Sequence, residues 1–307
     1  MHPPTIPVMH PPTIPAMHPP TIPPPHPSPH PPRAFTPPPD ACDAHCHIFG
    51  PAARFPYSAD RAYTPPDSGI DAFEHLQFRL GLSRAVFVQA SCHGTDNMAM
   101  VDALERGEGR FAGVAMIDES FTDSDIARLH DAGVRGTRFN FVAHLGGAPE
   151  LDVFWRLVDR VQPWGWHIVL HFDAKDIPDY TSLLERMPCP YVIDHMGRVP
   201  VTAGIDQEPF QRLLTLMTDE RCWMKISGAE RLTADGRPPY ADVVPFAQAL
   251  IAAAPDRVLW GTDWPHPNVR HMPDDGDLLD LLVQFAPDPE LRRRILVENP
   301  RRLYDFS

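Results

Sequence analysis

The sequence predicts a (β/α)8 barrel of the TIM type, preceded by a disordered proline-rich tail. Three observations predict it. Strand-length apolar runs alternate with helix-spaced segments eight times from residue 40 onward. Chemically loaded residues close several of the runs: His45 and His47 the first, His171 the fifth, His195 the sixth and Asp263 the eighth. The chain, at 307 residues, is long enough for such a barrel, which takes about 250 residues. A doubly wound open sheet would show the same alternation. Only a barrel brings all the strand ends around one mouth.

In chain order, residues 1–39 stand apart. Met-His-Pro-Pro-Thr-Ile-Pro occurs three times with a period of eight, from Met1, Met9 and Met17, and a further proline-rich stretch follows. Proline fixes φ and removes a hydrogen-bond donor, so a polyproline-type or disordered tail is expected. Residues 40–307 form the predicted catalytic domain. Strands are expected at 42–49, 85–90, 111–117, 134–141, 166–172, 191–196, 222–227 and 257–262. Helical spacing marks Asp71 to Leu80, Asp123 to His130, Leu151 to Val161 and Asp242 to Ala254, with Ser, Thr or Asp before several of them as N-caps.

Composition narrows the partners. With 27 basic and 40 acidic residues the formal charge is −13, which argues against nucleic acid and against an anionic membrane surface. No long apolar run or signal-peptide core is present. The five cysteines form no CxxC pair and read as reduced thiols of a cytoplasmic protein. A small anionic substrate remains compatible with this charge, because local arginines override the net field. The oligomeric state is open.

The motifs point to water activation. His45 and His47, two apart on a strand, project to one face. Trp260-Gly-Thr-Asp263-Trp-Pro-His266-Pro-Asn268 holds Asp263 in a stiff loop, as a general base requires. His195 and Arg198 sit together at one strand end, and Asp194 points away from His195 as a structural partner. Arg138 and Asn140 share a face opposite Phe139 and Phe141. An inward arginine needs an anion to meet it. Arg231 is a third such arginine, in a loop beside Glu230. Ser91 and His93 follow the second strand without an orienting acid, so Ser91 reads as a substrate contact rather than a nucleophile.

These segments, with Asp43-Ala-His-Cys-His-Ile-Phe-Gly-Pro51 and Val88-Gln-Ala-Ser-Cys-His-Gly-Thr-Asp-Asn97, resemble the lactonase branch of the amidohydrolase superfamily from about Asp40 to Phe306. The resemblance implies hydrolysis of a carboxylated lactone such as 2-pyrone-4,6-dicarboxylate, in aromatic-compound breakdown. It implies Asp263 as the base, with His45, His47 and His195 around the lactone carbonyl. It also implies Arg138, Arg198, Arg231, Tyr63 and Ser91 as substrate contacts. His171 and His266 are further expected contacts. Two departures stand out. His144 lies six positions after Arg138, where the branch has a second arginine, and His171 stands where it has a tyrosine. The second completes a set of His45, His47, His171, His195 and Asp263 like that of metal-binding relatives. The resemblance therefore leaves two options: no cofactor, or one divalent zinc or manganese. A muconolactone or sulfomuconolactone hydrolase, or a metal-dependent aromatic acid decarboxylase, are the alternative activities.

Overall fold

In the computed structural model, residues 19–142 and 147–306 are described. Residues 1–18 of the expected tail, and His144, lie outside the described residues. Eight strands form one sheet in the order of the chain, with parallel neighbours throughout. They are β1 (Cys42–Cys46), β2 (Arg84–Val88), β3 (Phe111–Ala115) and β4 (Val134–Asn140). They continue with β5 (His167–His171), β6 (Tyr191–Ile193), β7 (Cys222–Lys225) and β8 (Val258–Leu259). The sheet closes where the Ala44 N–H donates to Trp260 O and the Asp263 N–H to His45 O, both at 2.8 Å.

Helices cover the outside: α1 (Ile70–Leu80), α2 (Met98–Arg106), α3 (Asp123–Asp131), α4 (Leu151–Val161) and α5 (Ile177–Glu185). After these come α6 (Glu208–Leu216), α7 (Ala229–Leu232), α8 (Val244–Ala253) and α9 (Asp275–Asp280). Thr122 caps α3 in a capping box with Asp125, as a Thr before an apolar-periodic segment predicts. Among the described residues no helix is long and apolar enough to cross a membrane.

Alternation along the strands sorts side chains into two cores. Ala85 and Phe87, Ile168 and Leu170, and Cys222 and Met224 pack outward in the layer shared with the helices. Val86, Val88, Val169, Val192, Trp223 and Leu259 pack inward, with Tyr304 and Phe306 of the C-terminal segment joining them. The same period-two rule places Arg138, His171, Asp194 and Lys225 on the inner side, beyond that apolar plug. β1 breaks the alternation. Its register shifts between Asp43 and Cys46, so Ala44 joins the inner cluster and Cys46 the outer one. A bulge of this kind re-aims side chains, and it leaves both His45 and His47 facing the mouth.

One expectation changes for residues 19–39. Instead of forming part of a free tail, they lie along the barrel. The Ile22 N–H donates to Thr64 O at 3.1 Å, and the Thr64 N–H donates to Pro20 O at 2.8 Å. Lower down, the His30 N–H donates to the Asp274 carboxylate and the Arg33 and Ala34 N–H groups to Asp280. Proline removes its own donor but leaves its carbonyl and its neighbours' amides free to bond a surface.

Candidate active site

Asp263 occupies the centre of the mouth. Its backbone is left-handed, with φ of 67°, and its amide is bonded to His45 O on β1. Gly261 makes this crossing possible: a Cβ there would lie 2.5 Å from the His45 nitrogen. Asp43 fastens the same seam, accepting the Thr262 N–H at 3.0 Å and the Thr262 hydroxyl at 2.6 Å. Burial pushes its carboxyl up, to about 7, against those bonds.

Three imidazoles face one oxygen of Asp263. Its Oδ1 lies 3.1 Å from His47 Nε2, 3.5 Å from His45 Nε2 and 3.9 Å from His195 Nε2. The other oxygen, Oδ2, accepts from Arg231 Nε at 2.7 Å and also from Nη2. Burial alone would raise this carboxyl. The Arg231 guanidinium, with His195 and His47, outweighs it and holds Asp263 well below the usual carboxylate range.

The partners of each ring set its tautomer. His47 Nδ1 lies 2.7 Å from Val88 O and donates to it, which turns Nε2 toward Asp263 Oδ1 at 3.1 Å. His171 Nδ1 donates to Asn140 Oδ1 at 3.1 Å, which leaves Nε2 as a buried lone pair without a hydrogen-bond partner. His195 Nδ1 bonds the Ser227 hydroxyl at 2.9 Å. Burial lowers His45 and His171 well below the ordinary imidazole value, and His195 to about 4, so these rings are neutral near pH 7.

Beneath the rings lies a buried ionic cluster. Lys225 Nζ is 2.9 Å from His45 Nδ1 and 3.1 Å from Asp194 Oδ1. Arg138 Nε donates to Asp194 Oδ2 at 3.1 Å. Burial would raise the Asp194 carboxyl, but Lys225, His45 and Arg138 hold it well below its usual value. Burial draws the lysine ammonium down, and Asp194 opposes that. Asp194 is thus the structural partner anticipated for it. Lys225 was not anticipated. Its signal was its place two residues after the inward Trp223, on a strand whose odd positions all turn inward.

The cavity above these groups measures about 110 Å³. His47, Tyr63, Ser91, Arg138, His171, His195, Arg198, Arg231 and Asp263 all line it. Arg198 is anchored at the rim by Asp173 at 2.7 Å. Two expected contacts do not line it. His45 is fully buried behind Asp263, and its Nε2 faces that carboxylate rather than the cavity. His266 is fully buried on the far side, with Nε2 bonded to Asp275 at 2.8 Å and Nδ1 4.0 Å from Glu230. The proline-bounded loop turns it inward. A larger hollow of about 680 Å³ between α2 and α3 gathers none of this chemistry.

Ligand atoms of His45, His47 and Asp263 lie within 4.8 Å of one another, as a metal would need. Charge opposes it. His45 Nδ1 faces the Lys225 ammonium at 2.9 Å and Asp194 Oδ1 at 3.3 Å, so a dication at this ring would meet a buried cation. Asp263 already carries the Arg231 guanidinium. His47 and His171 could each present a lone pair, but the five-residue set as arranged does not fit a dication.

Residues 42–306 match the amidohydrolase family model. The chain belongs to the amidohydrolase family. A 2-pyrone-4,6-dicarboxylate hydrolase of Comamonas testosteroni is 45% identical over 279 residues, covering 88% of this chain and 92% of that protein. A 4-sulfomuconolactone hydrolase of Hydrogenophaga intermedia is 44% identical over 277 residues, covering 88% and 90%. A crystal structure of an Agrobacterium tumefaciens protein superposes with a TM-score of 0.79 at 29% identity, covering 89% of this amidohydrolase and 98% of that chain.

Proposed function

We propose that this amidohydrolase is a lactone hydrolase that opens a ring bearing carboxylates, of the 2-pyrone-4,6-dicarboxylate kind, by means of water activated at Asp263. One observation carries the reading: a buried carboxylate held by imidazoles faces a cavity whose walls include Arg138, Arg198 and Arg231. The identity to the dicarboxylate hydrolase supports the substrate class.

The resting Asp263 is a weak base because Arg231 holds its charge. A substrate carboxylate competes for that guanidinium. As Arg231 turns to it, Asp263 loses its strongest stabiliser and its proton affinity rises, so base strength is coupled to substrate capture. Water then attacks the lactone carbonyl carbon and its proton passes to Asp263. The carbonyl oxygen gains charge next to His195, a neutral ring lining the cavity. The carbon–ring oxygen bond breaks, and the leaving oxygen takes the proton from Asp263. His45 backs the Asp263 carboxylate from behind, with Nε2 3.5 Å from Oδ1. Arg138 and Arg198 orient the ring by charge-assisted bonds.

The near-equal identity to the sulfomuconolactone hydrolase favours one second substrate, a sulfonated lactone gripped by the same arginines. Ultraviolet absorbance with both lactones decides between them. Asp263→Asn is expected to lower turnover of the preferred lactone by about 10²–10⁴-fold while the protein stays folded. A variant with near wild-type rate would remove Asp263 from the role of base.

A further inference from the structure

The proline-rich segment touches the active site through one side chain. Residues 19–39 enter at the rim, where Thr21 bridges Thr64, and descend between α1 and α9. There Arg79 of α1 donates to Pro29 O at 2.8 Å, and Pro37 ends beside Gly81 below α1. The lower anchor is built for this chain. Gly276 has no Cβ where one would lie 2.2 Å from His30 O, and the carboxylates of Asp274, Asp277 and Asp280 all bond residues 30–34.

At the upper end the Ile22 side chain packs with Phe49, Tyr63, Ala90 and Cys92. Two of these reach the chemistry. Phe49 stacks on His47, with ring centroids 5.9 Å apart and planes 9° from parallel. Tyr63 lines the cavity, and so does Ser91 beside it. Tyr63 belongs to the long irregular excursion between β1 and α1, which is pinned at its ends by mutual Phe49–Ser68 amide bonds. Loops of this length hold a side chain in place only through contacts they acquire. The Thr64 amide acquires its own from Pro20, and the Tyr63 ring lies in one buried cluster with Ile22 and Phe49.

We infer that residues 20–34 form a strap in which Ile22 is a positioning residue for Tyr63, setting how tightly the anionic lactone is bound. This rests on the lactone-hydrolase reading above. The strap is anchored at both ends, so its rim contact is held against the loop rather than left to collide with it. Ile22 does not touch substrate. It acts by keeping the Tyr63 ring in the wall, so its removal weakens binding and spares the chemical step.

The test is a double-mutant cycle in the full chain. Ile22→Ala is expected to raise KM about tenfold with kcat within about twofold, and Ile22→Val to restore most of it. In a Tyr63→Phe or Tyr63→Ala background, Ile22→Ala should add little, because the residue it positions is already impaired. Effects that simply add in the Tyr63→Ala background, or an unchanged KM in Ile22→Ala, would overturn the inference. Amide hydrogen exchange supplies a readout independent of turnover. Ile22→Ala should speed exchange at Thr64 and its loop while α9 stays protected. If wild-type protein opens neither lactone, the substrate reading fails; if the Thr64 loop stays protected in Ile22→Ala, the strap fails.

Discussion

Lys225 shows how one residue organises several others. Its ammonium is fully buried and meets a carboxylate and an imidazole at once. Buried ion pairs add little net stability when complete, but breaking one by removing a partner is costly. Lys225→Met is therefore expected to destabilise the fold by about 3–5 kcal/mol, read from chemical denaturation at neutral pH. It should also lower turnover, since the ring behind Asp263 loses its contact at His45 Nδ1. Wild-type stability in this variant would mean that Arg138 alone satisfies Asp194. The residue was readable in principle, as an inward position of β7. Nothing in a strand pattern says which opposite charge, on a strand not yet placed, makes such a position tolerable. Asp263 makes the converse case. Its place was legible from the stiff loop that carries it, whereas its clamp by Arg231 depends on the parallel pairing of β7 with β8, which sets the segment after one beside the end of the other.

Among the elements, β1 and the strap behave differently from the patterns that announce them. The His45–His47 spacing correctly implies a shared face, but the bulge that turns that face to the mouth comes from pairing with β2 and has no mark in the sequence. The strap carries its own titration. Both ring nitrogens of His30 meet acceptors, Nδ1 the Pro31 carbonyl at 2.7 Å and Nε2 the Asp277 carboxylate at 2.8 Å. Only an imidazolium satisfies both. Burial pulls this ring down, but Pro31, Asp277 and Asp274 together raise it above 6.5. A raised value means the stabilisation is fully present below pH 6.5 and is lost as pH rises through the folded-state value. The wild-type melting temperature should therefore exceed that of His30→Gln below pH 6.5 and converge with it in alkali. A difference that grows with pH would contradict the ion pair.

The whole molecule concentrates positive charge inside a chain of net charge −13. Lys225, Arg138 and Arg231 stand around Asp194 and Asp263, so the mouth suits an anion and resists a dication. Chelator-treated protein is accordingly expected to keep its turnover, with no stoichiometric zinc or manganese in elemental analysis. Loss of activity restored by metal would place an ion on His47 and His171 and contradict the anion-only reading of the mouth. Closure of the barrel is what allows this concentration. It brings β1 and β8, more than two hundred residues apart, within a single hydrogen bond of each other.

Local pattern and spacing were enough for the eight strands, for the helices at 71–80, 123–130 and 151–161, and for the strand-end positions of His47, His171, His195 and Asp263, while Tyr63 was implied only by the family resemblance. Those features follow from periodicity and from the strand-end rule, which act over a few residues at a time. The burial of His45 and His266 behind the cavity, the Lys225–Asp194–Arg138 cluster and the docking of residues 19–39 came only with the tertiary structure. Each depends on charges, carbonyls or glycine gaps contributed by distant segments. A one-dimensional pattern records that a side chain turns inward, and only the closed barrel determines what it meets there.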